Sequence, residues 1–183
     1  AKGRGAINPD IVGLPPPRIA QMAGFTAPQD ATCLIGVEPD NNKIGREHPL
    51  SLEKLAPVLG WFVVRDHVEA KDVCARILRK GGDGHTAEIH AKDEHVILEV
   101  AHAMPAYRIC VNGPTAQGSV GAACPFKPSM TLGCGTIGHN ATSENIGPWN
   151  LVNIKRVGWI KPGYYEQRIA RDSNLPWGRA TAA

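Results

Sequence analysis

Apolar residues recur along this chain in two periods. TCLIGVE (32–38) and WFVVRD (61–66) are short, nearly continuous apolar runs, the pattern of strands buried on both faces. Asp66 and Glu69 then have the D-x-x-E spacing of a capping box. Ala70, Val73, Cys74, Ile77 and Leu78 follow at helical spacing until Gly81-Gly82 stops the helix. HTAEIHA (85–91) alternates, with Ala87 and Ile89 on one face and Thr86, Glu88 and His90 on the other. Asp93 is placed to cap a second helix carrying Val96, Ile97, Val100, Ala101 and Met104, which Pro105 closes, and YRICVNG (107–113) reads as the next strand.

Strand, helix, strand, helix, strand with short connections predicts an α/β fold of βαβ units on a mainly parallel sheet. A Pro-rich entry (Pro15, Pro16, Pro17) and a short helix near Arg18–Ala23 precede it. Residues 113–148 form a long Gly/Pro/Ser segment too irregular for regular elements, and loops of that length in a compact domain are often functional. LVNIKRVGWI (151–160) reads as a further strand, and 161–183 as a polar tail or linker. No internal repeat is visible.

Composition narrows the class. The 183 residues suffice for one domain with its own core, and 43% hydrophobic with 20% charged residues fits a soluble globular protein. The net charge of +3 is well mixed, with no basic stripe for nucleic acid. The longest apolar stretch, LAPVLGWFVV (55–64), is broken by Pro57 and Gly60 and is far short of the about 20 residues of a membrane span. Five cysteines (33, 74, 110, 124, 134), odd in number and without a C-x-x-C pair, argue for a reducing compartment. Cys33, Cys74 and Cys110 read as core residues, and Cys124 is left undetermined. The start, AKGRGAINPD, has no Met and suggests a processed terminus or a cut within a longer chain.

TLGCGTIGHN (131–140) contains a literal G-x-G-x-x-G in Gly133, Gly135 and Gly138. A dinucleotide fingerprint needs a strand before the glycines, a helix after, and an acidic residue about 20 positions on. Here PSMTL precedes, HNATSENIGPW follows, and Lys155 and Arg156 stand near the acidic position, so the pattern is not read as a phosphate cradle. A catalytic cysteine needs a helix N-terminus or a cationic neighbour, and nothing local to Cys134 supplies one. Cys134 reads first as a small residue in a crowded glycine turn. A metal site is not expected: His85 and His90 fall on opposite strand faces, and His95 and His102 are roughly 10.5 Å apart along a helix. By default His85 caps a strand edge and Glu53 is solvated.

Several stretches together resemble one family. EKLAPVL, GGDGHTAEIH, YRICVNGPTAQGSVG, PSMTLGCGTIGHNATSENIGP and NLVNIKRV stand in the order and spacing of the CoA-acylating aldehyde dehydrogenases, over about residues 7–160. The resemblance implies a partial aldehyde dehydrogenase catalytic domain, its C-terminal part at 1–160, followed by the tail 161–183. It implies NAD and coenzyme A as cofactor and cosubstrate, and a short aldehyde converted to an acyl-CoA through a cysteine thioester. Both the nucleophile and the NAD domain would lie upstream of this chain, which alone would be inactive. Glu53 matches the glutamate that contacts the nicotinamide ribose, and His85 matches the histidine that works beside the nucleophile as a proton acceptor. Asn112, Thr131, Gly133, Cys134 and Gly135 would line the substrate and CoA tunnel, which makes Cys134 a wall residue.

Two positions depart from the family pattern. Gly113 stands where Thr is common, and His139 where Gly is usual, which would strain the backbone if that position needs φ > 0. The implied protein is a dimer-based homo-oligomer in the cytoplasm or a bacterial microcompartment, with no nucleic-acid or membrane partner. A naturally truncated, non-enzymatic assembly module of the same fold is the alternative reading. A self-contained cysteine enzyme using Cys134 and His85 is a third, less favoured one.

Overall fold

In a computed structural model that describes residues 8–172, the chain divides into two compact units, one running to Asn150 and one starting at Leu151. The first unit opens with α1 (Pro16–Met22), whose prolines occupy the first turn, where a missing N–H costs nothing. Its strands form two separate parallel pairs: β1 (Leu34–Glu38) with β2 (Val58–Phe62), and β3 (Gly84–Ile89) with β4 (Ala106–Val111). The parallel βαβ expectation is met, but as two small sheets; no ladder joins them among the described residues.

The second strand lies earlier than the apolar run suggested. Pro57 and Gly60 look like breakers, yet Pro57 sits just before β2 and accepts a hydrogen bond from Leu34 N (2.9 Å). Gly60 is inside the strand because a Cβ there would collide with the Leu50 carbonyl. In register, Ile35 faces Leu59 and Val37 faces Trp61, and all four side chains are exposed on one open side of the sheet. Cys33 shares their parity and is exposed too, as is Cys74 on the helix that follows; the expectation that both are core residues is corrected.

Helix α2 (His67–Gly81) begins as predicted, with Asp66 Oδ1 accepting from Glu69 N at 2.9 Å. The reciprocal half of the capping box differs: Glu69 Oε2 accepts from Arg65 N and from Arg65 Nε, each at 2.9 Å. Helix α3 (Glu94–Ala103) is capped by Asp93, whose Oδ1 accepts from His95 N at 2.9 Å, and it connects β3 to β4 as one βαβ unit. Glu99 on α3 pairs with Lys71 and His67 of α2, which ties the two helices together.

The segment after β4 is more ordered than its composition suggested. It contains α4 (Thr115–Ser119), a 3-10 turn at Thr136–Gly138, and an antiparallel bridge between Leu132 and Asn145. In the second unit the expected strand at 151–160 is absent. Those residues pair with no ladder, and Leu151, Trp159 and Val157 are 84%, 85% and 71% exposed. A strand must hand alternate N–H and C=O groups to a neighbour, and this segment has none among the described residues. The stretch read as a polar tail contains α5 (Tyr164–Asp172), with Arg168 bridging Asp172 one turn on at 3.2 Å; residues 173–183 lie outside the described residues.

The Glu69 carboxyl is held down from the usual glutamate value of 4.5 to about 2 by the Arg65 backbone amide, the Arg65 guanidinium and Asn41. A depressed folded-state pKa stabilises above the unfolded value and loses that contribution as pH falls through the folded one. Wild-type stability is therefore expected to decline between pH 4.5 and about 2 more steeply than that of Glu69→Gln, measured by urea midpoints across that window.

Candidate functional site

The site builds outward from β4. Its burial alternates so that Arg108 and Cys110 both point inward, 2% and 0% exposed. A buried guanidinium is tolerated only where oxygens receive its donors. Arg108 Nη2 donates to the Gly133 carbonyl (2.7 Å), Nη1 to the Ser143 carbonyl (3.0 Å), and Nε to Thr86 Oγ1 (3.3 Å). One side chain thus links β4, β3 and both arms of the 131–146 loop. Nothing in the hydrophobic period marked it; the available signal was an arginine inside the apolar run YRICV.

The loop is a short antiparallel ladder. Gly133 N donates to the Glu144 carbonyl (2.9 Å), Gly135 N to Thr142 (2.8 Å) and Ile146 N to Thr131 (2.9 Å). Gly138 N donates to the Cys134 carbonyl at 3.2 Å and the Gly135 carbonyl at 3.1 Å. All three glycine amides of the G-x-G-x-x-G are thereby engaged inside the protein, so none is presented as a phosphate nest. Cys134 N donates to Asn140 Oδ1 at 2.9 Å, and the turn that follows is a single 3-10 turn with no helix behind it. His139 adopts φ 59°, ψ 33°, the left-handed region anticipated for a position where glycine is usual.

Gly84 joins this loop to β3. It is buried at φ 77°, and a Cβ on it would collide with the Cys134 carbonyl, so backbone lies directly on backbone. A Cβ on Gly138 would likewise come within 2.6 Å of the Asp83 carbonyl. The next residue, His85, is exposed at the edge of this contact, with its Nδ1 2.8 Å from Thr86 Oγ1. Thr131 is exposed, Gly133 and Gly135 are buried, and Cys134 is half-buried. His85 and the loop are therefore brought together. Asn112 is placed differently: it sits at φ 52°, and its side chain closes the end of the β3–β4 ladder by accepting from Ala91 N (3.0 Å) and donating to Ala91 O (2.9 Å).

Glu53 lies on a neighbouring feature, an open cleft of about 690 Å³ lined by Leu50–Lys54, Val58–Gly60, Phe62 and the end of α2. Its carboxylate is exposed there. Lys54 anchors the cleft wall by donating to the Leu50 (2.9 Å) and Leu52 (2.7 Å) carbonyls, and burial pushes its pKa down. The cleft ends at Gly82, whose carbonyl accepts from His85 N at 2.9 Å. One tight turn, 82–85, thus separates the Glu53 cleft from the His85 edge. Among the described residues no group of three or more His, Cys, Asp or Glu is placed to hold a metal ion, and no helix is long and apolar enough to cross a membrane.

Comparison with known proteins identifies the class. No protein-family model matches the chain. The bifunctional aldehyde-alcohol dehydrogenase AdhE of Escherichia coli K12 is 37% identical over 158 residues, covering 84% of this chain and 17% of that protein. A crystal structure of an acetylating aldehyde dehydrogenase from Geobacillus thermoglucosidasius superposes with a TM-score of 0.81 at 44% identity, covering 86% of this chain and 34% of that one. Two further structures at 22% identity and TM-score 0.60 share the fold: an engineered glycolyl-CoA reductase with bound NADP+, and a Rhodopseudomonas palustris propionaldehyde dehydrogenase with bound CoA and an acylated cysteine. The fold is that of the acylating aldehyde dehydrogenases. The chain belongs to that family and corresponds to one region of it, spanning from under a fifth to about a third of the length of these relatives.

Removing the Arg108 guanidinium leaves the buried Gly133 carbonyl without its donor, an orphan costing about 1–3 kcal/mol, and also deprives the part-buried Ser143 carbonyl of its bond. Arg108→Met is expected to lower unfolding stability by about 2–4 kcal/mol, with Arg108→Lys intermediate because an ammonium cannot span both carbonyls. Denaturant unfolding of the three proteins checks the order.

Proposed function

We propose that this chain is the C-terminal part of the catalytic domain of an enzyme that converts a short-chain aldehyde, NAD and CoA to an acyl-CoA and NADH. The observation that carries the reading is the placement of the exposed His85 imidazole at the rim of the Arg108-held loop, in a chain 37% identical to AdhE over 84% of its length. The nucleophilic cysteine and the main NAD-binding domain are assigned to the remainder of the complete polypeptide. Bound NAD supplies a hydride acceptor and CoA a thiol that releases the acyl group.

The residues in hand fit those groups in distinct ways. Glu53 presents an exposed carboxylate inside a cleft, able to accept hydrogen bonds from ribose hydroxyls. Thr86 Oγ1, with two lone pairs, accepts from Arg108 Nε and from His85 Nδ1–H, the tautomer that leaves the Nε2 lone pair free to meet a reacting thiol. His85 is the proton acceptor for a thiol in this reading, a role usually worth about 10²–10⁴ in rate. Thr131, Gly133, Cys134 and Gly135 form tunnel wall, since the Cys134 amide and the glycine amides are already spent on the loop itself. Asn112 supports that wall by fixing the end of β4.

In the complete enzyme, aldehyde- and CoA-dependent NADH formation is expected to fall about 10²–10⁴-fold in His85→Gln. In Cys134→Ser it should stay within about tenfold, a barrier change under roughly 1.4 kcal/mol. Loss of activity in Cys134→Ser with retention in His85→Gln would reverse the roles and make TLGCG the catalytic turn.

Assembly follows from the second unit. Leu151, Val152, Ile154, Val157, Trp159 and Ile160 are all at least 60% exposed on a segment with strand-forming composition. The segment is assigned to a homo-oligomer contact, most simply by strand addition to a second copy. Light scattering of the 183-residue chain should give at least a dimer, reduced to a monomer by Ile154→Lys with Trp159→Lys; an unchanged mass would refute the assignment.

A further inference from the structure

Outside the candidate site, β4 and the turn after α4 bring two thiols together. Gly118 is buried, and a Cβ placed on it would lie 2.6 Å from Cys110 Sγ and 3.0 Å from Cys124 Sγ. The missing side chain is the space that both sulfurs share. Cys110 is fully buried on β4, whereas Cys124 is only half-buried on the segment that leads to Phe126, whose amide donates to the Cys124 carbonyl at 2.8 Å. The segment is held but not locked: Asn145 Nδ2 binds the Ser119 and Lys127 carbonyls, each at 2.8 Å, on either side of Cys124.

We propose that Cys110 and Cys124 form an oxidative modification site, which hydrogen peroxide converts to an intramolecular disulfide across Gly118. The two thiols have distinct parts. Burial, followed by the neighbouring Cys124 thiol, pushes the Cys110 thiol up to about 11, so Cys110 stays protonated and shielded at neutral pH. Cys124, with solvent access, meets the peroxide. Its sulfur attacks one peroxide oxygen, the O–O bond breaks, and water leaves with a sulfenic acid formed on Cys124. The Cys110 sulfur then attacks the Cys124 sulfur and the S–O bond breaks. The Cys110 proton goes to the departing hydroxide, giving a second water. Two thiols are oxidised to one disulfide and one peroxide is reduced to two waters. Cys134 is excluded as partner by its place on the other loop arm, beside Asp83 and Gly138.

The consequence is mechanical. Cys110 lies two residues from both Arg108 and Asn112, so the bond would tie the 120–127 segment to the strand that carries the loop clamp. The test treats the complete folded enzyme with hydrogen peroxide, blocks remaining thiols by alkylation, and maps this region by peptide fragmentation. A Cys110–Cys124 linkage, lighter by two hydrogens and reopened by dithiothreitol, is expected. It should be absent from Cys124→Ser and unaffected in Cys134→Ser. The wild-type map needs no variant to fold. Cys110 still alkylatable after unfolding while Cys124 proceeds to sulfinic acid, or a Cys124–Cys134 linkage instead, would overturn the proposal.

Discussion

The region around the site depends on one buried cation. Arg108 occupies an inward position on β4, where a guanidinium is costly unless every strong donor is met. Its acceptors are backbone carbonyls on both arms of a loop distant in sequence, Gly133 and Ser143. The energetic demand of one strand residue therefore becomes an ordering force on the loop. Once Gly133 is fixed, its neighbour Cys134 rests on Gly84, and the turn carrying His85 is fixed against the same loop. Strand β4 is in effect the reference from which the other parts of the site are measured.

This explains which parts of the structure were legible beforehand. Helices α2 and α3 and strands β3 and β4 were readable because their signals are local: Asp66 and Asp93 cap, Gly82 and Pro105 stop, and the apolar periods fall between them. Strand β2 was misplaced because Gly60 signals a breaker until the Leu50 backbone that fills its missing Cβ is known. The ladder joining 131–135 to 142–146, and its clamp, have no period at all, since they arise from carbonyls meeting a side chain far away in sequence. Glu53 and His85 were singled out through family resemblance. That a single turn links their surroundings through the Gly82 carbonyl could come only from coordinates.

The apolar surface carries a related lesson. Continuous apolar runs at 32–38 and 61–66 imply strands covered on both sides, and the structure leaves Ile35, Val37, Leu59 and Trp61 open on one. Burying each such side chain is worth about 1.5–3 kcal/mol, so a face of four is a strong demand for a further layer. The relatives are roughly three to six times as long as the stretch matched here, and the sequence pattern and the open face point to the same unmet packing.

His139 sets a limit on how far loop strain decides chemistry. A non-glycine residue at φ 59° costs about 1–2 kcal/mol, and such residues persist only where the surroundings over-determine the backbone. Here they do. The amides of Gly135, Gly138 and Asn140 all bond within the turn, and Arg108 holds the carbonyl at its base. The turn's path is thus set by groups other than residue 139. A side chain there can differ from the usual glycine without moving Cys134 or the Gly84 contact, and the imidazole it adds stays exposed at the mouth of the loop.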